Sequence, residues 1–331
     1  MDQPEDLLGM NMNYRNISHL NPDIIAAIRA KNVARVRILC LQDMRGITDI
    51  TYLHLAYLLE AVRQGDSGLA TVILLISEFK LKVNVELMES CGCTLHVACV
   101  SKAHQMMEYL LTFSEIDINR SIISYSSLTA LGISCSLGDI AGVILLLDRH
   151  ADINLVDATQ RAGIDYSIQK CHFELTSILI DRGAAILVDT FFLLLNTQNV
   201  LLVEKALLHN CGAISMVKNA MSPLLSASYY GWVDIVPLLL RQHGAWNPAH
   251  LRGGKNAIEL GRHRGFPEIS RMIEVSLSSS SQHSAPVPVS PHRFAVQLQQ
   301  LQDMGLDDEA RNIVALERFD GNVERALGFL L

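Results

Sequence analysis

The chain has 331 residues, more than a usual single domain, which predicts one large or two unequal folding units. Half of its residues are hydrophobic and 18% are charged. The longest apolar window, residues 184–203, is interrupted by Asp189 and by a polar run at 196–199, so no membrane-spanning helix is expected. A net charge of -7 argues against broad nucleic-acid binding. This composition favours packed amphipathic helices.

The first 22 residues show neither a basic region followed by an apolar run nor a repeat pattern. No secretory signal is therefore expected, and residues 1–22 are predicted to be poorly ordered. The chain has seven cysteines, and most of them lie in apolar runs. Their odd number and this placement indicate buried free thiols and not a set of disulfides. These features predict a protein of the cytoplasm or the nucleus.

One pattern recurs from residue 23 to residue 275: a small residue, four or five polar or small positions, and an apolar helix. The aligned residues are Ala27, Ala61, Ala98, Ser134, Ser167, Leu194, Ala227 and Gly261, spaced by 34, 37, 36, 33, 27, 33 and 34 residues. Such short helices are marginal alone, so the units must stack to bury their apolar faces. The pattern predicts an all-α solenoid of about eight helix pairs, with an irregular or kinked unit at Leu194.

Four segments carry a family resemblance: "CTLHVAC" at 93–99, "TALGISC" at 129–135, "SPLLSAS" at 222–228 and "YGWVDIVPLLL" at 230–240. The region 23–275 resembles an ankyrin-repeat array. The resemblance implies a scaffold that binds a protein partner with residues at the ends of its first helices. In this sequence the candidate partner face comprises Gln169, Lys170, Tyr229, Tyr230, His263 and Arg264. Tyr229 and Tyr230 have two interpretations, as an interface centre or as packing between repeats.

The segment 91–99 contains four side chains of the types that bind zinc, namely Cys91, Cys93, His96 and Cys99. In the repeat register His96 and Cys99 fall on a buried helix, so a structural role is favoured and no metal or cofactor is predicted. No nucleophile with an adjacent base and no phosphate-binding loop is found, so the sequence predicts a protein that is not an enzyme.

Residues 276–291 are rich in serine and proline and are predicted to form a flexible linker. Residues 292–331 then show three short amphipathic patterns separated by turns. Gly305 ends the first helix, and Asp307 or Asp308 begins the second. The tail is therefore predicted to be a separate three-helix bundle.

The tail resembles a ubiquitin-associated (UBA) domain in "LQQLQDMG", "ARNIVALE", "GNVERAL" and the final "LL". The resemblance implies that an apolar patch made by Met304, Gly305, Leu306, Leu330 and Leu331 contacts ubiquitin. Leu306 stands where the family most often has phenylalanine or tyrosine. A bundle that keeps this fold but binds ubiquitin poorly, or binds something else, is the alternative.

Together the two resemblances predict an adaptor that binds an unidentified protein through its array and ubiquitin or polyubiquitin through its tail. One alternative is a substrate-recruiting subunit of a ubiquitin ligase or deubiquitinase complex. Another is a scaffold whose tail only protects the protein from degradation.

Overall fold

The fold is known from a computed structural model. It describes residues 21–43, 51–81, 83, 94–122, 128–209, 217–219, 221–242, 247 and 249–282, and ten positions of the tail: 297, 298, 300, 301, 304, 306, 312, 316, 323 and 327. The predicted disordered segment 1–22 lies almost wholly outside these residues, because the described chain begins at Asn21.

Helices dominate the described part of the array and follow one another in eight consecutive pairs. The pairs are α1 (Pro22–Arg29) with α2 (Val33–Asp43), α3 (Thr51–Arg63) with α4 (Leu69–Ser77), α5 (Thr94–Val100) with α6 (His104–Leu110), α7 (Ala130–Ser136) with α8 (Ile140–Asp148), α9 (Gly163–Gln169) with α10 (Phe173–Asp181), α11 (Val188–Thr197) with α12 (Val200–His209), α13 (Pro223–Tyr230) with α14 (Val236–Leu240), and α15 (Ala257–Arg264) with α16 (Pro267–Gln282). A short 3-10 helix, Gly65–Gly68, precedes α4. The first helices of successive pairs pack side by side, for example α7 on α9 and α13 on α15.

Several first helices begin at a polar residue whose side chain accepts a hydrogen bond from a backbone N–H of the first turn. Thr129 accepts from the backbone N–H of Gly132, at 3.0 Å, and Asn256 accepts from that of Glu259, also at 3.0 Å. Ser222 does the same at the start of α13, where Pro223 follows it. These side chains satisfy amide groups that the helix leaves without a partner, so the starts of the helices are encoded locally.

A residue with left-handed backbone separates the two helices of every pair. These residues are Lys31, Gly65, Lys102, Gly138, Cys171, Gln198, Gly231 and Gly265, with φ between 49° and 89°. Each lies four residues after the corresponding aligned residue of the sequence pattern, so the turns keep the predicted spacings. The repeat register predicted from the sequence is confirmed at these turns.

Contacts between neighbouring turns link one pair to the next. A Cβ atom added to Gly138 would lie 2.7 Å from the ring of His172, and one added to Gly231 would lie 2.4 Å from the ring of Phe266. His172 also bonds through Nε2 to the carbonyl oxygen of Ser136, at 3.1 Å. Both rings come from the residue directly after the left-handed position of the following pair. The turns therefore stack, and glycine is required where a ring covers the turn.

Extended structure in the described residues is confined to the connections between pairs. Strands β1 (Ser121–Ile122) and β2 (Leu128–Thr129) pair antiparallel, with Ser121 opposite Thr129. Single bridges join Lys218 to Met221 and Arg252 to Lys255. These short hairpins precede α7, α13 and α15, so they do not alter the helical class of the fold.

The irregular unit predicted at Leu194 has helices of full length. Helices α11 and α12 each have ten residues. Only residues 182–187 connect α10 to α11, whereas residues 149–162 connect α8 to α9. The shorter spacing before Leu194 thus comes from a shorter connection between the pairs and not from shorter helices. The helices keep their length because they carry buried residues of the core, such as Phe191 and Leu194.

Helical structure continues beyond residue 275, the predicted end of the array. Helix α16 continues to Gln282, through the first seven positions of the predicted linker 276–291. Its serines are tolerated in a helix, and neither glycine nor proline interrupts the chain before Pro286. The rest of the linker lies outside the described residues. The chain divides into two compact units, residues 1–271 and 272–331, and no helix in its described part is long and apolar enough to cross a membrane.

Candidate binding surfaces

The described tail residues form a small apolar core. Leu298, Leu301 and Leu316 are buried together, and Leu306, Val323 and Leu327 pack against them while staying partly exposed. Leu298, Leu301, Leu316, Val323 and Leu327 all have helical backbone. These contacts join the three amphipathic patterns predicted for the tail into one cluster.

The turn between the first two tail segments presents Met304 to solvent. The backbone N–H of Met304 donates to the carbonyl oxygens of Gln300 and Leu301, both at 3.2 Å, and the N–H of Leu306 donates to that of Leu301 at 3.1 Å. Met304 is left 57% exposed. Leu306, in contrast, turns part of its side chain toward the core.

Asn312 fixes the second half of this turn and was not identified from the sequence. Its side chain is buried, and Nδ2 donates to the carbonyl oxygen of Leu306 at 2.6 Å. A buried amide needs such a partner. The remaining candidates of the tail patch, Gly305, Leu330 and Leu331, lie outside the described residues and stay predictions.

On the array, a cluster of aromatic and basic side chains surrounds Tyr229 at the end of α13. The guanidinium carbons of Arg252 and Arg264 lie 3.9 and 4.4 Å from the centre of the Tyr229 ring. Nε of Arg264 also donates to the backbone oxygen of Tyr229 at 3.2 Å. Arg252 comes from the hairpin before α15 and Arg264 from its last turn, so two pairs build this cluster.

Tyr230 extends the cluster toward solvent. Its ring lies edge-on to Tyr229, with centroids 4.9 Å apart, and stacks on Trp232 at 5.2 Å with an angle of 18°. Tyr230 is 54% exposed, whereas Trp232 is buried and Tyr229 is half-buried. Tyr229 thus packs between helix pairs, as one interpretation of the tyrosine pair predicts. Tyr230 offers an exposed ring, which the other interpretation, an interface centre, requires.

The other candidates on the array are exposed but are not all gathered here. His263 lies in the last turn of α15, next to Arg264. Gln169 and Lys170 end α9, where Gln169 accepts a hydrogen bond from Arg161, and they are two helix pairs before Tyr229. Trp232 was missed by the sequence analysis, although the run Tyr229-Tyr230-Gly231-Trp232 is a signal of aromatic density.

The zinc-type segment places its histidine in the core. His96 is fully buried, and its Nε2 bonds the carbonyl oxygen of Arg120 at 3.0 Å. Burial lowers the pKa of His96 from 6.5 to about 4, against the opposing effect of backbone carbonyls at Arg120 and Leu128. Among the described residues no three candidate ligands come together for a metal. Cys91 and Cys93 lie outside those residues.

A second buried polar group stabilises the connection before α9. Asp157 accepts hydrogen bonds from the backbone of Thr159 and Arg161 and from the hydroxyl of Tyr166. Burial alone would raise the pKa of Asp157, but these hydrogen bonds outweigh it and hold the pKa below its usual value. Burial and the same carboxylate raise the pKa of Tyr166 to about 12. The pair is a fully hydrogen-bonded structural group.

Comparison with known proteins identifies two kinds of module. The model of ankyrin repeats (three copies) matches residues 58–157, and the UBA/TS-N domain model matches residues 294–330. Tyrosine-protein kinase HTK16 of Hydra vulgaris is 38% identical over 91 residues, which are 28% of this chain and 12% of the kinase. The similarity to the kinase is therefore local and covers a small part of that protein.

Solved structures resemble the array at low sequence identity. The ankyrin repeat domain of Bcl-3 aligns with a TM-score of 0.52 and 17% identity, over 76% of this chain and 98% of that domain. The human ASB11 ankyrin repeat domain aligns with a TM-score of 0.49 and 23% identity, over 65% of this chain and 96% of that domain. At this low identity, the similarity to Bcl-3 supports the ankyrin-repeat fold of the array and nothing beyond the fold. The chain thus carries ankyrin repeats, matched at residues 58–157, and a UBA domain at residues 294–330.

Proposed function

We propose that this protein is a non-enzymatic adaptor whose array binds a protein partner and whose UBA domain binds ubiquitin or polyubiquitin. The exposed Met304 side chain carries the ubiquitin half of the proposal. A large apolar side chain held on a turn, with its backbone hydrogen-bonded, offers contact area to an apolar surface with little loss of entropy.

Leu306 contributes in a different way from Met304. Part of its side chain belongs to the bundle core, so it fixes the turn and offers only its exposed part to ubiquitin. Gly305, Leu330 and Leu331 complete the proposed contact. A bundle of this size presents a modest interface, so binding to a single ubiquitin should be weak and binding to chains stronger through effective concentration.

The array supplies the second binding surface of the proposed adaptor. We assign all eight helix pairs to ankyrin-type repeats, because the left-handed turn recurs in each pair at the repeat spacing. The proposed partner face includes Gln169, Lys170, Tyr229, Tyr230, His263 and Arg264. Cys135 and Cys171 are free thiols, which agrees with action in the cytoplasm or the nucleus.

The test replaces Met304 by lysine in the full chain and measures binding to linear tetraubiquitin and to ubiquitin by biolayer interferometry. A charge at the centre of an apolar contact should weaken tetraubiquitin binding at least about tenfold. Unchanged binding would refute the assignment of this turn.

Leu201→Lys is the matched control. Leu201 is an exposed apolar residue of α12, at 76% exposure, so the same charge is introduced on the array. Tetraubiquitin binding by this control should equal that of the wild type. Circular dichroism melts of both variants establish that the fold is kept.

A further inference from the structure

The two arginines that share the Tyr229 ring lack an anionic partner within the described part of the chain. No carboxylate of those residues lies within 4 Å of Arg252 or Arg264; their contacts are with the Tyr229 ring, its backbone oxygen and the sulfur of Met221. The face of an aromatic ring attracts a cation but does not neutralise it. Two guanidinium groups at one ring therefore leave an uncompensated positive charge.

The one acidic residue of α15 is already engaged. Glu259 uses Oε2 to accept the backbone N–H of Asn256, at 3.0 Å, in the first turn of α15. Exposed basic residues instead continue the surface in the last turn of that helix, with Arg262 and His263 beside Arg264. In a chain with a net charge of -7, this local concentration of positive charge favours an acidic partner.

An exposed aromatic platform adjoins the charges. Tyr230 rests on the buried Trp232 and against the edge of Tyr229, so its orientation is fixed by packing. Rigid aromatic side chains next to arginine are typical of the centre of a protein interface, because they bury large area with few rotatable bonds. A flat apolar or aromatic side chain of a partner would fit this ring.

We infer that this surface, made by Tyr229, Tyr230, Arg252 and Arg264, binds an acidic protein segment in which an aromatic or apolar residue is flanked by Asp or Glu. Carboxylates would pair with the planar guanidinium groups, and the apolar side chain would lie on Tyr230. The inference rests on the proposed role of the array as a protein-binding surface and names the chemistry of its partner.

The experiment selects a phage-displayed library of random twelve-residue peptides against the full chain. Selected peptides should be enriched in Asp and Glu next to an aromatic or apolar residue. A representative peptide should bind Arg252→Gln/Arg264→Gln and Tyr230→Ala at least about tenfold more weakly than the wild type, and its binding should weaken with salt. Arg264→Lys, which keeps the charge but loses the planar group, should also bind more weakly.

The matched control is Arg149→Gln/Arg182→Gln, which removes two partly exposed arginines whose ion pairs lie elsewhere on the array. It should bind the peptide like the wild type. Enrichment of basic or neutral peptides, equal binding by the Arg252/Arg264 variant, or no enrichment would overturn the inference. Tetraubiquitin binding is measured in parallel. A wild type that does not bind tetraubiquitin would refute the proposed adaptor function. If the Arg252→Gln/Arg264→Gln variant still binds tetraubiquitin, a failure of the peptide experiment refutes only the acidic-partner inference.

Discussion

His96 should make the stability of the array sensitive to mild acid. The folded chain holds this side chain neutral, because burial lowers the pKa of His96 to about 4, while an unfolded histidine titrates at 6.5. As the pH falls, the unfolded chain therefore takes up the proton first. Stability is complete above pH 6.5 and decreases as the pH falls toward 4.

The magnitude follows from the two pKa values. A tenfold difference in proton affinity corresponds to about 1.4 kcal/mol, so the full loss from this residue is about 3 kcal/mol and the loss at pH 5 is about 2 kcal/mol. This is a large part of the stability of an ordinary domain. One buried histidine can thus dominate the acid response of this part of the array.

The assay compares urea unfolding at pH 7.5 and pH 5.0, followed by circular dichroism, in the wild type and in His96→Gln. The variant should be less stable at pH 7.5, because it loses packing and the bond to Arg120. Its further loss on acidification should be smaller than that of the wild type by about 2 kcal/mol. His263→Gln, at an exposed position, controls for removing a histidine. Equal acid-induced losses in the wild type and His96→Gln would refute the reasoning.

Two backbone predictions follow from the left-handed turns, and urea denaturation measures both. Gly138→Ala should lower the free energy of unfolding by about 2–3 kcal/mol, because residue 138 has a φ of 66° and the added Cβ atom would meet the His172 ring. Gly183→Ala should lower it by only about 1 kcal/mol, because residue 183 has a φ of 88° but no atom lies within 4 Å of the added Cβ. Equal losses would show that the ring contact is unimportant. Gln198 is exposed and has a φ of 54°, so Gln198→Gly should relieve left-handed strain and raise the free energy of unfolding by about 0.5–1 kcal/mol. Gln169→Gly, at the end of α9, should lower the free energy of unfolding by about as much. A lower free energy of unfolding for Gln198→Gly would contradict the presence of strain at this turn.

The repeat spacing could be predicted from the sequence because it depends on local features. The aligned residue of the pattern lies four positions before the left-handed turn in every described pair, as Ala98 does before Lys102. Apolar spacing and turn position are visible in a single sequence even where the usual motif residues have changed. The length of α16 was harder to predict, since a run of serines is compatible both with a linker and with a helical extension.

The binding surfaces could be predicted only in part, because their details depend on contacts between distant residues. Tyr230 was identified from its position at the end of a first helix, but its stacking on Trp232 can be seen only in the folded chain. The same holds for the contact between Tyr229 and Arg252, which lies 23 residues downstream of it in a hairpin. In the tail, the sequence indicated the turn at Met304. It did not indicate the bond from Asn312 that holds the turn.

The same contacts that stack the repeats also set the geometry of the proposed binding surface. Gly231 follows Tyr230 directly, and the ring of Phe266, two residues after Arg264, covers it so closely that no Cβ atom would fit. The strain of a left-handed turn, about 1–2 kcal/mol for a residue other than glycine, is absent at Gly231, so the close approach of Phe266 fixes this turn without that strain. Because stacking fixes the backbone at both turns, it also positions the residues that directly precede them, Tyr230 and Arg264.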